Sequence, residues 1–218
     1  MADPGPARPP APRRYLTLAA PVTAQVEDRR SVFRCRLERV ASEAEAQQVV
    51  AAARRAFPDA RHHCSALVLG PDRSVRRAHD DGEPSGTAGA PMLEVLLGSG
   101  LSDLVAVVSR WFGGTLLGAG GLVRAYSDAV RVALQQAQPR TRALLVQAVL
   151  ELDHADAGRV EHALRAAGAG VVGVDYGVAA RYDLVLPPDR EAVAAELARL
   201  TGGRARLEVT GEVWQDVR

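Results

Sequence analysis

The stretch Arg110–Val130, "RWFGGTLLGAGGLVRAYSDAV", carries five glycines in nine residues: Gly113, Gly114, Gly118, Gly120 and Gly121. Just before it lies "LVAVVS", Leu104–Ser109, apolar almost throughout. A run of that kind reads as a central strand covered on both faces. After the glycines, Leu122, Tyr126, Ala129, Val130 and Ala133 recur at helical spacing, and Pro139 ends the pattern. Strand, glycine loop and helix are the parts of a phosphate cradle.

Two nucleotide readings of the loop fail on particular residues. In a Walker loop, Gly113 and Gly118 have the right spacing, but Ala119 and Gly120 stand where Lys and Ser/Thr are needed. The chain contains no lysine at all. In a dinucleotide fingerprint, Gly118 and Gly120 begin well, but Val123 occupies the third glycine position. A nucleotide cofactor is therefore not expected. What remains is geometry. Gly113 and Gly114 let the chain leave the strand sharply, and Gly120 and Gly121 let the helix start approach the sheet. That start exposes free N–H groups between Arg110 and Arg124, which favours an anion from a partner.

Upstream, "SVFRCRLERV" alternates as a half-buried strand, with Phe33, Cys35 and Leu37 on one side. "SEAEAQQVVAAARRAF" opens with a capping box, Ser42 and Glu45, and Pro58 follows its end. "CSALVLG" and "VRRAH" read as a hairpin around "PDRS". "MLEVLL" follows Pro91 as a helix closed by Gly98. Downstream of Pro139, "ALLVQAVLEL", "AGRVEHALRAAG", "GVVGVDY", "GVAARYDLVL", "DREAVAAELARL" and "ARLEVTGEVW" follow in the order βαββαβ. That order is the split-βαβ, ferredoxin-like arrangement. The fold class is α+β. Residues 1–14, rich in proline, read as a disordered tail. Residues 15–138 form the first domain and 141–218 the second.

Composition narrows the function class. Two cysteines, Cys35 and Cys64, make no disulfide framework. No apolar run approaches the roughly 20 residues of a membrane span, and the N-terminus lacks the apolar segment of a signal peptide. A cytoplasmic protein without membrane partners is expected. Net charge is +1 overall. Residues 1–140 hold 18 arginines against 14 acids, and residues 141–218 hold 9 against 12. The first domain is thus the better partner for an anion.

Two further motifs carry titratable groups. In "RHHC", His62 and Cys64 share one strand face and His63 points away. Zinc would need help from His79, Asp80 or Asp81, and the paired CxxC spacing of structural zinc is missing, so no metal is expected. "DDGEPSGT" holds Asp80, Asp81, Glu83, Ser85 and Thr87, and Thr87 or a neighbour is a candidate helix cap. A polar loop of this length exceeds what a turn needs. The expected cleft gathers His62, Asp81, Glu83, Arg110 and Arg124, with His63, Gly113, Gly114, Gly118 and Gly120 completing the binding set. Trp111 and Phe112 face opposite ways, one into the core and one available for base stacking.

Taken together, "DARHHCSALVLG", "DDGEPSGTAGAPMLEVLLGSGL" and "VVSRWFGGTLLGAGGLVRAYSDAV" resemble the YigZ/Impact family from about residue 15 onward. The resemblance implies a first domain similar to the second domain of ribosomal protein S5. It implies a ferredoxin-like second domain similar to the last domain of elongation factor G. Eukaryotic members dampen a starvation stress response through an extra N-terminal RWD domain, and that role is not carried over here. For bacterial members the resemblance implies a link to translation, with RNA, the ribosome or a translation protein as partner. The expected function is a non-catalytic regulatory factor acting as monomer or weak dimer. The alternatives are a hydrolase using His62, Asp81 and Glu83, and a protein-interaction module.

Overall fold

The computed structural model describes residues 12–217. The proline-rich tail expected over residues 1–14 lies mostly outside the described residues, and Arg14 already belongs to the first strand. The chain divides into two units, one ending at Thr141 and one spanning Arg142–Val217. Both are mixed α and β.

In chain order the first unit runs β1 (Arg14–Leu18), β2 (Val22–Asp28), β3 (Ser31–Arg39), α1 (Glu43–Ala56), β4 (His62–Leu69), β5 (Val75–His79), α2 (Gly89–Ser99), β6 (Leu104–Trp111) and α3 (Ala119–Gln136). Its sheet has the order β2-β3-β6-β4-β5, with every neighbouring pair antiparallel. β6 is central, which is why "LVAVVS" is apolar on both sides. Leu104, Ala106 and Val108 join one core with α2 and α3. Val105 and Val107 join another with α1. Period-two alternation therefore feeds two separate cores from one strand.

The expected capping box forms with one shift: Glu45 reaches Ala41, one residue before the cap. Ser42 accepts from the Glu45 N–H, and the Glu45 carboxylate accepts from the Ala41 N–H. Gly98 does not close α2. The left-handed cap is Gly100, at φ +76°, and the helix runs two residues further than the glycine signal implied.

The second unit holds β7 (Pro139–Leu152, which begins before the division), α4 (His154–Ala166), β8 (Gly170–Tyr176), β9 (Ala180–Leu186), α5 (Glu191–Thr201) and β10 (Glu208–Val217). β7, β9 and β8 are adjacent in that order, and β10 pairs with β7. This is the ferredoxin-like βαββαβ order read from the sequence. Val160 and Leu164 of α4 and Val193 and Leu197 of α5 build its core against the sheet.

The hairpin of β2 and β3 was not legible in the sequence. Its two-residue turn is Arg29-Arg30, with φ of +47° and +65°. Such a turn ordinarily uses Asn-Gly, so no turn signal was present. The turn is pressed onto the glycine loop. A Cβ on Gly113 would lie 2.1 Å from the Arg30 carbonyl carbon and 2.3 Å from the Ser31 nitrogen. Gly113 is required for backbone contact, and Gly114 for its φ of +84°. Gly113→Ala is expected to lower the unfolding free energy by about 3 kcal/mol, because backbone cannot swing aside. Gly114→Ala, which only strains φ, costs about 1 kcal/mol. Urea titrations of both variants check the ranking.

Candidate functional site

Three strands place one row of side chains. In register, Phe33 of β3, Arg110 of β6 and His62 of β4 are cross-strand neighbours. They share the face that carries α2 and α3. One residue further along, Arg34, Ser109 and His63 form the next row on the opposite face, under α1. His62 and His63 thus belong to different sides of the sheet.

At the centre of the first row lies a buried ion pair. Arg110 is 6% exposed and Glu83 is 8% exposed. Arg110 donates to the Glu83 carboxylate at 2.6 Å. The Tyr126 hydroxyl, from α3, donates to the same carboxylate oxygen at 2.7 Å. The Cys64 sulfur stands 3.3 Å from that hydroxyl, and its thiol donates to the Asp80 carbonyl. Phe33 and Phe112 flank the guanidinium at 5.3 and 5.9 Å. The Arg110 Nε is buried and makes no hydrogen bond.

The loop between β5 and α2 brings Glu83 to this place. Asp80 anchors it by accepting from the amides of Gly86, Ala88 and Gly89. Ala88 occupies the cap position of α2 and has no side chain to offer. Thr87 does not cap the helix, and its hydroxyl donates to the Pro84 carbonyl instead. Burial works against the Asp80 charge, but these three amides outweigh it and hold its carboxyl below the ordinary value. Asp81 follows at φ +45°, a conformation that non-glycine residues rarely adopt.

Asp81 is where the expected cleft divides. Its backbone carbonyl accepts from the His62 Nδ1 at 2.8 Å, on the α3 side. Its carboxylate accepts from the His63 amide at 2.6 Å and pairs with Arg54 of α1, on the other side. Asp81 and His63 line a groove between α1 and the β4–β5 hairpin. His62, Glu83, Arg110 and Gly118 line a different cleft, about 330 Å³ in volume, with Arg61 and Phe112 at its edge. Gly113 and Gly114 shape the turn beside it. Gly120 faces open space, and Gly121 approaches Leu117 of its own loop, not the sheet. Arg124 is exposed on α3 and does not line the cleft.

Neither Trp111 nor Phe112 enters the core. Trp111 is half-buried against the Phe57 ring and donates to Asp59. Phe112 is 40% exposed, just past the end of β6, with the Arg61 guanidinium stacked over it. Sequence reasoning missed Tyr126 as a polar site residue because its spacing marked it as core. It missed Asp80 as the cap of α2 because the two lie nine residues apart, outside any capping pattern.

The environment decides the chemistry. Burial pushes the Cys64 thiol up to about 12, with the nearby carboxylates adding to the effect and the Tyr126 hydrogen bond opposing it. Burial also raises Cys35 and Tyr126. Cys64 is therefore no thiolate nucleophile at neutral pH. Burial, then Arg54, lowers the pKa of His63 against an opposing pull from Asp81.

Three outcomes are expected. Neither cysteine of the native protein reacts with a disulfide reagent at pH 8 until denaturant is added, as absorbance of the released thiol would report. Asp80→Ala costs about 2 kcal/mol of stability, since three amides lose their acceptor. Stability declines as pH falls below about 6.5, because the unfolded chain gains a proton on His63 that the folded chain resists. It declines again on passing down through the carboxylate range, where Asp80 and Asp81 gain protons. Urea midpoints at pH 8, 5.5 and 3.5 measure both stages, and His63→Gln removes the first.

The profile of the Impact N-terminal domain matches residues 29–134, which contain every residue of the cleft. A profile described as a domain of unknown function (DUF1949) matches residues 150–204, inside the second unit. IMPACT family member YigZ of Escherichia coli (strain K12) is 38% identical over 196 residues, 88% of this chain and 96% of that protein. IMPACT family member YvyE of Bacillus subtilis (strain 168) is 35% identical over 195 residues, 89% of this chain and 90% of that protein. A solved structure titled "Crystal structure of an hypothetical protein" superposes with a TM-score of 0.65 at 36% identity, covering 91% of this chain and 98% of that one. With both domains matched in order and relatives aligned over nearly their full length, the chain belongs to the IMPACT family.

Proposed function

We propose that this protein is a translation-associated regulatory factor that binds single-stranded RNA, in a ribosomal or messenger setting, at the cleft beside α3. One observation carries the reading: arginines surround an exposed aromatic ring at an uncapped helix start. Arg61 stacks over Phe112, and both line the cleft. Arg29 and Arg30 reach the same loop, toward the Leu116 carbonyl and the Thr115 hydroxyl. Leu116 is 80% exposed at the mouth. Stacking platforms beside cationic side chains are how single strands are held without sequence preference.

The hairpin turn supports the same reading. Arg29 and Arg30 sit in a backbone conformation that disfavours them by about 1 kcal/mol each. Strain kept at an exposed turn is accounted for by a use for the side chains. Replacing Arg29-Arg30 with Asn-Gly is expected to raise the melting temperature while weakening RNA binding several-fold and flattening its salt dependence. Filter binding of a labelled RNA 20-mer at 50 and 200 mM salt reads the second effect. A pull-down from lysate with and without RNase, with ribosome co-sedimentation, tests the biological setting. If neither shows RNA or ribosomes, the reading is lost.

A hydrolase is the second reading, favoured by the tautomer of His62. The Asp81 carbonyl can only accept, so the His62 proton sits on Nδ1. Nε2 stands 4.0 Å from the Glu83 carboxylate, within reach of a proton relay. A hydrolytic activity that His62→Ala abolishes and Cys64→Ser keeps would favour this reading over simple binding.

A further inference from the structure

We infer that the α3 cleft takes a terminal phosphate monoester, the end of an RNA strand or a free nucleotide, and not an internal phosphodiester. The inference rests on the RNA reading for its source of ligand, but its chemistry comes from three separate features.

The first is the helix start. Gly118 caps α3 at φ +72° with no side-chain hydrogen bond, and the first turn has no acidic residue. The first intrahelical bond is Leu122 N–H to the Gly118 carbonyl. The amides of Ala119, Gly120 and Gly121 are left for an anion, where the helix dipole favours one. The second is Arg110. Its side chain is 8% exposed and lines the cleft, one end is spent on Glu83, and Nε has no partner. A buried guanidinium edge without an acceptor is costly unless a ligand supplies one. Phe112, 40% exposed, lies over the guanidinium just past the strand end. The third is size. At about 330 Å³ the cleft is at the small end of ligand sites, room for roughly one nucleotide.

These features select the monoester. Glu83, Pro84 and Leu122 line the cleft together with Arg110. A phosphate reaching Arg110 presents its oxygens to the amides and the guanidinium together. An internal phosphodiester has only two free oxygens and needs the chain to leave on both sides. A monoester has three free oxygens and only one chain to lead away, and Arg61, Phe112 and Leu116 line the same cleft to meet its nucleoside.

The test is fluorescence anisotropy with one single-stranded RNA decamer in three forms: 5′-phosphate, 3′-phosphate and hydroxyl at both ends. A phosphorylated end is expected to tighten binding about tenfold, the worth of a few charge-assisted hydrogen bonds. Which end does so identifies the orientation. Adenosine 5′-monophosphate is expected to compete and adenosine is not. Arg110→Ala strands the buried Glu83, so the deciding variant is Ala119→Glu. Its carboxylate suits the helix start and keeps the fold, which a thermal melt checks, yet it occupies the phosphate position. Loss of the phosphate preference in Ala119→Glu supports the site. Equal binding of all three decamers, or a preference that survives Ala119→Glu, overturns it. If adenosine 5′-monophosphate binds and no decamer does, the phosphate site stands and the RNA reading falls.

Discussion

A carboxylate and a guanidinium, both more than nine-tenths buried, hold the α3 side of the first unit together. Removing one partner of such a pair costs about 3–5 kcal/mol, because the other charge is left buried alone. Here the pair joins four segments. Arg110 comes from the end of β6, Glu83 from the long loop before α2, Tyr126 from α3, and Cys64 from β4 through the tyrosine. The loop cannot move without stranding a charge. A charge pair in this position sets the mouth of a cleft to within a hydrogen-bond length.

The pleat of β4 and β6 then divides the chemistry. Adjacent residues point to opposite faces, so His62 and Arg110 serve one cleft while His63, hydrogen-bonded to Ser109, serves the other. Asp81 bridges the two, with its carbonyl on one side and its carboxylate on the other. The positive φ at Asp81 is the local cost of that bridge. Burial sets which groups can react. The thiol of Cys64 and the hydroxyl of Tyr126 keep their protons, so they act as donors and not as nucleophiles. The polar groups left to line the α3 cleft are His62, the Glu83–Arg110 pair and the start of α3 at Gly118 and Ala119.

Much of the fold was readable because it follows from local rules. The apolar run of β6, the capping box of α1, the β4–β5 hairpin and the βαββαβ order each depend on residues near one another in the chain. The failures share a cause as well. The β2–β3 hairpin was missed because its two-residue turn, which requires positive φ, uses two arginines in place of the usual Asn-Gly. Gly98 was taken as the end of α2 because a glycine inside a helix resembles a cap, and the left-handed residue is Gly100. Arg124 was placed in the cleft by its distance from the glycines along the chain. Helical rotation carries it to the exposed side of α3.

The sequence by itself determined most of the secondary elements, the two-domain α+β class and the family, and it singled out His62, Glu83, Arg110 and Gly118 as candidate site residues. Only the tertiary structure decided which of those groups meet. Cross-strand register made His62, Arg110 and Phe33 neighbours across 77 positions of chain. The antiparallel sheet also sent His63 and Asp81 to a second groove. Local spacing encodes the period of an element and which side a residue faces. It does not encode which strand lies beside which, and the site is built from that.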